Sequence, residues 1–243
     1  MIGIIGGTGL TQLDGLEVLE SKWFDTPYGE PSAALTFGSI SGTKVVFIAR
    51  HGDPHQIPPH KINYRANISA LEQAGVTKIL AVNAVGGIHA SLGPAEVAIP
   101  DQIIDYTYGR EHTIYDASST ELDHIDFTFP YSQSLRGLLI QAADETGVSI
   151  LKSGTYGATQ GPRLESAAEI KKYKLDGCDL VGMTGMPEAA LAREFGIEYA
   201  CLALSVNWAA GLSDSIITMD DIHLAIEQGM GKVHKILKAF LLA

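Results

Sequence analysis

Four short apolar runs constrain the fold of this chain more than any other feature. IGIIGG (2–7), KVVFIAR (44–50), KILAVNAV (78–85) and EYACLALSVN (198–207) each end in glycine, a charge or a small polar region. Near-continuous apolar runs of this length read as strands buried on both faces, not as one-sided amphipathic strands. Between and after them lie segments with helical spacing: 63–76, 132–147, 165–177, 187–196 (Pro187 in its first turn) and 219–243. Strands alternating with helices predict an α/β domain with a mostly parallel sheet covered on both sides. ALTFGSI (34–40) pairs with the second run across the turn signal Ser41-Gly42. Residues 101–109, 153–162 and 178–184 supply further extended segments, and 110–131 reads as a long polar and aromatic loop.

The chain has 243 residues and is 46% hydrophobic, enough for one large core without a second domain. A net charge of −11 argues against nucleic acid or an anionic membrane as partner. Cys178 and Cys201 form no CxxC pair, so a reduced, cytoplasmic protein without disulfides is expected. The opening MIGIIGGTGL lacks the basic region of a signal peptide, and no apolar run approaches the roughly 18 residues of a membrane span.

Several strand ends deliver polar groups. Gly6-Gly7-Thr8-Gly9 follows a strand, and its backbone N–H groups suit an anion, although Gln12 breaks the dinucleotide fingerprint. Arg50 and His51 stand just past a strand, where an arginine fork suits phosphate oxygens or is simply a surface charge pair at the sheet rim. Asn83 and Thr184 sit in VNAVGG and VGMTGMPE, which read either as ligand-binding strand ends or as simple turns. Glu165 stands beside a helix start, where a carboxylate is often only a cap. Asn207 is the one amide at the end of a buried run, a turn residue or a ligand reader. His51, His55 and His60 are too loosely spaced on a proline-rich segment for a metal site, and none is expected.

GGTGL, ARHG, NYRAN, VNAVGG, HIDFTFPY, GPRLE, GMTGMPE and SVN, in this order, resemble the trimeric purine nucleoside phosphorylase and methylthioadenosine phosphorylase family almost end to end. The resemblance implies a single domain over 1–243, with a mixed, mostly parallel twisted sheet, a distorted barrel-like core and flanking helices. It implies a homotrimer that splits nucleosides with inorganic phosphate as co-substrate and no metal or organic cofactor. Thr8, Arg50, His51, Ala84 and Thr184 match the phosphate site, and Met183 the pentose wall. Glu165 and Asn207 match the base readers. Asn207, Glu165 and His51 are the expected catalytic residues.

Two departures within the family bear on substrate. Members preferring adenine resemble Ser at position 165 and Asp at 207 and 209, whereas this chain has Glu165, Asn207 and Ala209. A carboxylate accepts the N1 proton of a 6-oxopurine and repels the N1 lone pair of adenine. Members acting on ordinary nucleosides resemble His at 219, but here Met219 and Ile222 form an apolar wall suited to a 5′-methylthio group. His124 matches a residue that a neighbouring subunit contributes near the 5′ group. The expected reaction is therefore phosphorolysis of 5′-methylthioinosine to hypoxanthine and 5-methylthioribose 1-phosphate. Alternatives are release of adenine from methylthioadenosine, a general inosine and guanosine phosphorylase, and a non-catalytic nucleoside-binding protein.

Overall fold

Side chains on the long strands face two ways, and both faces are covered. The computed structural model of the chain describes residues 1–7, 15–116 and 122–242. In chain order the first half comprises β1 (Ile2–Gly6), β2 (Glu17–Lys22), β3 (Leu35–Ile40), β4 (Thr43–Ala49), α1 (Tyr64–Gln73), β5 (Lys78–Gly87), β6 (Val97–Ala98) and β7 (Gln102–Asp105). The second comprises α2 (Gln133–Glu145), β8 (Ile150–Leu151), β9 (Thr155–Ala158), α3 (Ala167–Leu175), β10 (Leu180–Gly182), α4 (Glu188–Glu194), β11 (Glu198–Trp208) and α5 (Met219–Leu242).

Alternate residues of β5 show the layering. Leu80 and Val82 join a core with Leu139 of α2 and Val233 and Ile236 of α5. Ile79 and Ala81 join a second core with Ile68 of α1 and Leu191 of α4. This is the period of two that a strand imposes on its side chains.

β1 lies between β4 and β5, parallel to both, and β11 runs parallel to β5 along its whole length. The last residues of β5, Gly86 and Gly87, pair antiparallel with β10, which continues through β9 to β7. β11 also holds β6, which pairs with β8. One 11-stranded sheet thus branches at β5. This is the mixed, mostly parallel sheet with flanking helices that the family pattern implied.

Local chemistry sets several boundaries. Ser41 and Gly42 both take positive φ, 51° and 85°, which closes the β3–β4 hairpin tightly. Asn63 and Ser132 cap α1 and α2 through their side-chain oxygens. Pro187 stands at the N-cap of α4, one residue before the helix rather than inside its first turn. β2 has no counterpart in the apolar pattern: its residues EVLESK are all exposed, and it is held by backbone pairing to β3 at the sheet edge. The stretch between β7 and α2 is without helix or strand where described, as its composition predicted.

Candidate active site

The parallel strands β1, β4, β5 and β11 end at one rim, and a cleft of about 250 Å³ opens there. Gly7, Arg50, His51 and Ala84 line its floor, and Met183 and Thr184 enter beside them. Glu165, Asn207, Met219 and Ile222 line the remainder. One cavity therefore gathers the site residues that the family resemblance named, with two exceptions, while Asn83 is buried behind it. Thr8 lies outside the described residues, and His124 is exposed and does not line the cleft.

Arg50 is fully buried, and its fork grips a carboxylate. Nε donates to Glu188 Oε2 at 2.6 Å and Nη2 to Oε1 at 2.8 Å. Nη1 donates to the Val82 carbonyl at 3.1 Å and Nη2 also to Asn83 Oδ1 at 3.3 Å. Four of the five guanidinium N–H groups are thus engaged, leaving one on Nη1 among the described residues. Burial opposes the arginine charge, but the Glu188 carboxylate outweighs it and lifts the pKa above the ordinary value. Glu188 in turn accepts from the Tyr199 hydroxyl at 2.7 Å. Gly7 permits this packing: a Cβ there would stand 2.7 Å from Arg50 Nη1 and 2.6 Å from the Val82 oxygen.

The Arg50 charge is relayed outward. Asn83, with Oδ1 held by Arg50, donates from Nδ2 to Thr184 Oγ1 at 2.9 Å. A hydroxyl that accepts this bond keeps its own proton for a group in the cleft. β10 runs against β5, so Thr184 reaches Asn83 from the opposite direction to the other strand ends.

His51 is 6% exposed, and its Nδ1 lies 2.8 Å from the Ile57 carbonyl oxygen. That partner is an acceptor, so Nδ1 carries the proton and Nε2 presents a lone pair. Burial first, then the nearby Arg50 charge, depresses the imidazole pKa to about 4. His51 stacks on His55 with centroids 4.3 Å apart. Among the described residues, no group of three His, Cys, Asp or Glu side chains is arranged to hold a metal ion.

The base-reading candidates owe their aim to local irregularities. Glu165 does not cap α3: Ser166 is the N-cap, in a reciprocal box with Glu169. Glu165 Oε1 instead accepts from Thr159 Oγ1 at 2.6 Å, leaving Oε2 for the cleft that the residue lines. In β11 the register with β5 shifts between Ser205 and Asn207, and such a bulge re-aims the next side chain. Asn207 Nδ2 donates to the Trp208 carbonyl at 2.7 Å, which fixes the amide orientation and leaves a second N–H and Oδ1. Met219 is 60% exposed at the start of α5, whereas Ile222 is 9% exposed and belongs to the core as well as the cleft.

Sequence reasoning missed Glu188 and Tyr199 as members of the site. Glu188 is the final residue of GMTGMPE, and only the pairing across the fold reveals that it neutralises Arg50.

The sequence pattern described as the phosphorylase superfamily matches residues 1–242. A probable S-methyl-5'-thioinosine phosphorylase of Pseudomonas syringae pv. tomato is 55% identical over 240 residues, covering 99% of this chain and 98% of that one. A 6-oxopurine nucleoside phosphorylase of Pyrococcus furiosus is 43% identical over 247 residues, covering 100% and 91%. The structure of methylthioadenosine phosphorylase from Schistosoma mansoni in complex with adenine superposes with a TM-score of 0.94 at 31% identity, covering 99% of this chain and 90% of that one. The chain belongs to the phosphorylase superfamily. Within it, the chain is an enzyme of the purine nucleoside phosphorylase type.

Proposed function

We propose that this enzyme cleaves 5′-methylthioinosine with inorganic phosphate, yielding hypoxanthine and 5-methylthioribose 1-phosphate. The observation that carries this reading is that the Glu165 carboxylate and the Met219–Ile222 wall line the same cleft as Arg50, His51 and Thr184. A 6-oxopurine reader, an apolar 5′ site and an anion site are within reach of one substrate. The 55% identity to a probable S-methyl-5'-thioinosine phosphorylase supports the same choice.

Breaking the glycosidic bond through an oxocarbenium-like state puts positive charge on the pentose and negative charge on the departing purine. Phosphate beside the anomeric carbon is both nucleophile and counter-charge. Thr184 donates a hydrogen bond from its hydroxyl to it, Arg50 one from its remaining N–H, and Gly7 and Ala84 line the same floor. Neutral His51 accepts a hydrogen bond at Nε2 from the P–OH group of hydrogen phosphate, which orients the nucleophile while the proton stays on the phosphate. Met183 packs against the pentose. Glu165 accepts N1–H and selects the base, and Asn207 donates to O6 or N7 as charge arrives there. These are positioning and electrostatic effects and require no metal or organic cofactor.

The half-open 5′ end supports a homotrimer. Met219 is largely exposed, and His124 stands outside the cleft of its own chain, free to close that of a neighbour. Among the described residues no helix is long and apolar enough to cross a membrane, and with two buried free cysteines this suits a cytoplasmic enzyme.

Base release from methylthioinosine, methylthioadenosine, inosine and adenosine, each with and without phosphate, tests the reading. The expected result is phosphate-dependent cleavage, fastest on methylthioinosine. Faster methylthioadenosine cleavage would overturn the Glu165 and Asn207 assignment, and faster inosine cleavage the 5′ pocket. Loss of phosphate dependence would overturn the reaction itself.

A further inference from the structure

We propose that Arg110, which does not line the cleft, is the positioning residue that locks the base-reading loop to the pentose- and phosphate-bearing loop. Its five N–H groups meet six acceptors, two of the three at Nη1 sharing one N–H, and four of the six are backbone carbonyls. Nη1 donates to Met183 O at 2.8 Å and Met186 O at 2.6 Å, in the loop between β10 and α4. Nη2 donates to Thr159 O at 3.2 Å and Gln160 O at 2.8 Å, where the chain leaves β9 toward Glu165. Nε donates to Gln160 Oε1 at 3.2 Å, and Nη1 also to the Tyr64 hydroxyl at 3.2 Å. Tyr64 donates in turn to Pro59 O at 2.9 Å, and Pro59 lines the cleft.

None of these six partners is a carboxylate. The group is therefore not neutralised as Arg50 is by Glu188, and its charge is spread over carbonyl dipoles that have left sheet and helix pairing. One planar fork ties three segments, 59–64, 159–165 and 183–186, and the last two extend its hold beyond the β9–β10 pairing that ends at Ala158 and Gly182. Thr159 is held twice, by its carbonyl through Arg110 and by its hydroxyl through Glu165, so the clamp connects directly to the base reader. Arg50 keeps its own anchors on Glu188, Val82 and Asn83, and the Thr184 hydroxyl is held separately by Asn83, so the phosphate donors keep their partners without Arg110. Lysine cannot replace the fork, because one ammonium cannot reach carbonyls on both loops at once.

The inference rests on the nucleoside reading only in taking Glu165 and Met183 to meet the substrate. The test compares wild type, Arg110→Ala and Arg110→Lys on whichever 6-oxopurine nucleoside the wild type cleaves fastest, so a wrong substrate choice shows in the wild type and leaves this comparison intact. Nucleoside kcat/KM should fall on the order of 100-fold in both variants through a raised nucleoside KM, with the phosphate KM moving far less. Added methylguanidinium should restore part of the activity of Arg110→Ala and none of that of Arg110→Lys. A drop in kcat alone, with both KM values unchanged and no rescue, would overturn the proposal and reduce Arg110 to a fold staple. Failure of both variants to fold would overturn it in the same way.

Discussion

At the floor of the cleft, Arg50, Asn83, Thr184 and Glu188 are each no more than 7% exposed, and each has a side-chain partner within the group. At the rim, Met219 is 60% and Leu164 42% exposed, and among the described residues Glu165 is held by a single side-chain hydrogen bond, from Thr159. The floor is continuous with the sheet: its charge is neutralised, its donors are oriented, and its geometry is shared with the core. The rim is carried by the β9–α3 loop, the bulged end of β11 and the first turn of α5. The lesson is a division of labour. The half-reaction common to all substrates is built into the core, and the choice of nucleoside rides on segments that can change without unfolding it.

Four measurements would break or sharpen that division. The largest effect belongs to the rim. Glu165→Ser with Asn207→Asp should shift the ratio of kcat/KM for methylthioinosine over methylthioadenosine by up to about 10⁴-fold, because a mispaired buried polar group is what rejects the wrong base. Its melting temperature should barely move. An unchanged ratio would remove base reading from these two residues.

Next is the floor. Glu188→Ala strands the Arg50 charge in the core and should cost about 3–5 kcal/mol in urea unfolding. The nucleoside preference of whatever protein remains folded should match wild type. A changed preference would mean that floor and rim are not separable.

The third effect is pH-dependent. The His51 pKa is about 4 in the folded chain against an ordinary 6.5, so between these values the unfolded state binds more protons. The stability from keeping this imidazole neutral is full above pH 6.5 and is lost as pH falls toward 4, by up to about 3 kcal/mol. Urea midpoints measured at pH 7, 5.5 and 4.5 should show that slope in wild type, and His51→Asn should flatten it.

The smallest effect is again at the rim. Met219→His should improve inosine relative to methylthioinosine by about tenfold, the worth of one hydrogen bond to a 5′-hydroxyl. No gain for inosine would make Met219 mere packing.

Much of this site could be read along the chain, because strand ends announce themselves locally. The apolar runs fix where β1, β4, β5 and β11 stop, and each stop places a cleft residue at the rim. The Ser41-Gly42 turn and the helix caps are equally local, since each is decided by a few neighbouring residues. β2 was silent because an exposed edge strand needs only a neighbour's backbone and leaves no apolar period. Glu165 could not be told from a capping carboxylate, since the choice depended on whether Ser166 and Glu169 would satisfy the helix start between them.

The sequence by itself determined the alternation of strands and helices, the positions of the strand ends and the kinds of side chain waiting there. Only the tertiary structure decided how those side chains are used. Arg50 meets Glu188 across 138 positions, Asn83 meets Thr184 across 101, and Arg110 gathers carbonyls from loops 49 to 76 positions away. Periodicity is a property of neighbours in the chain and is visible one residue at a time. Charge neutralisation and hydrogen-bond satisfaction are properties of neighbours in space, and they exist only once the sheet has brought its strand ends together.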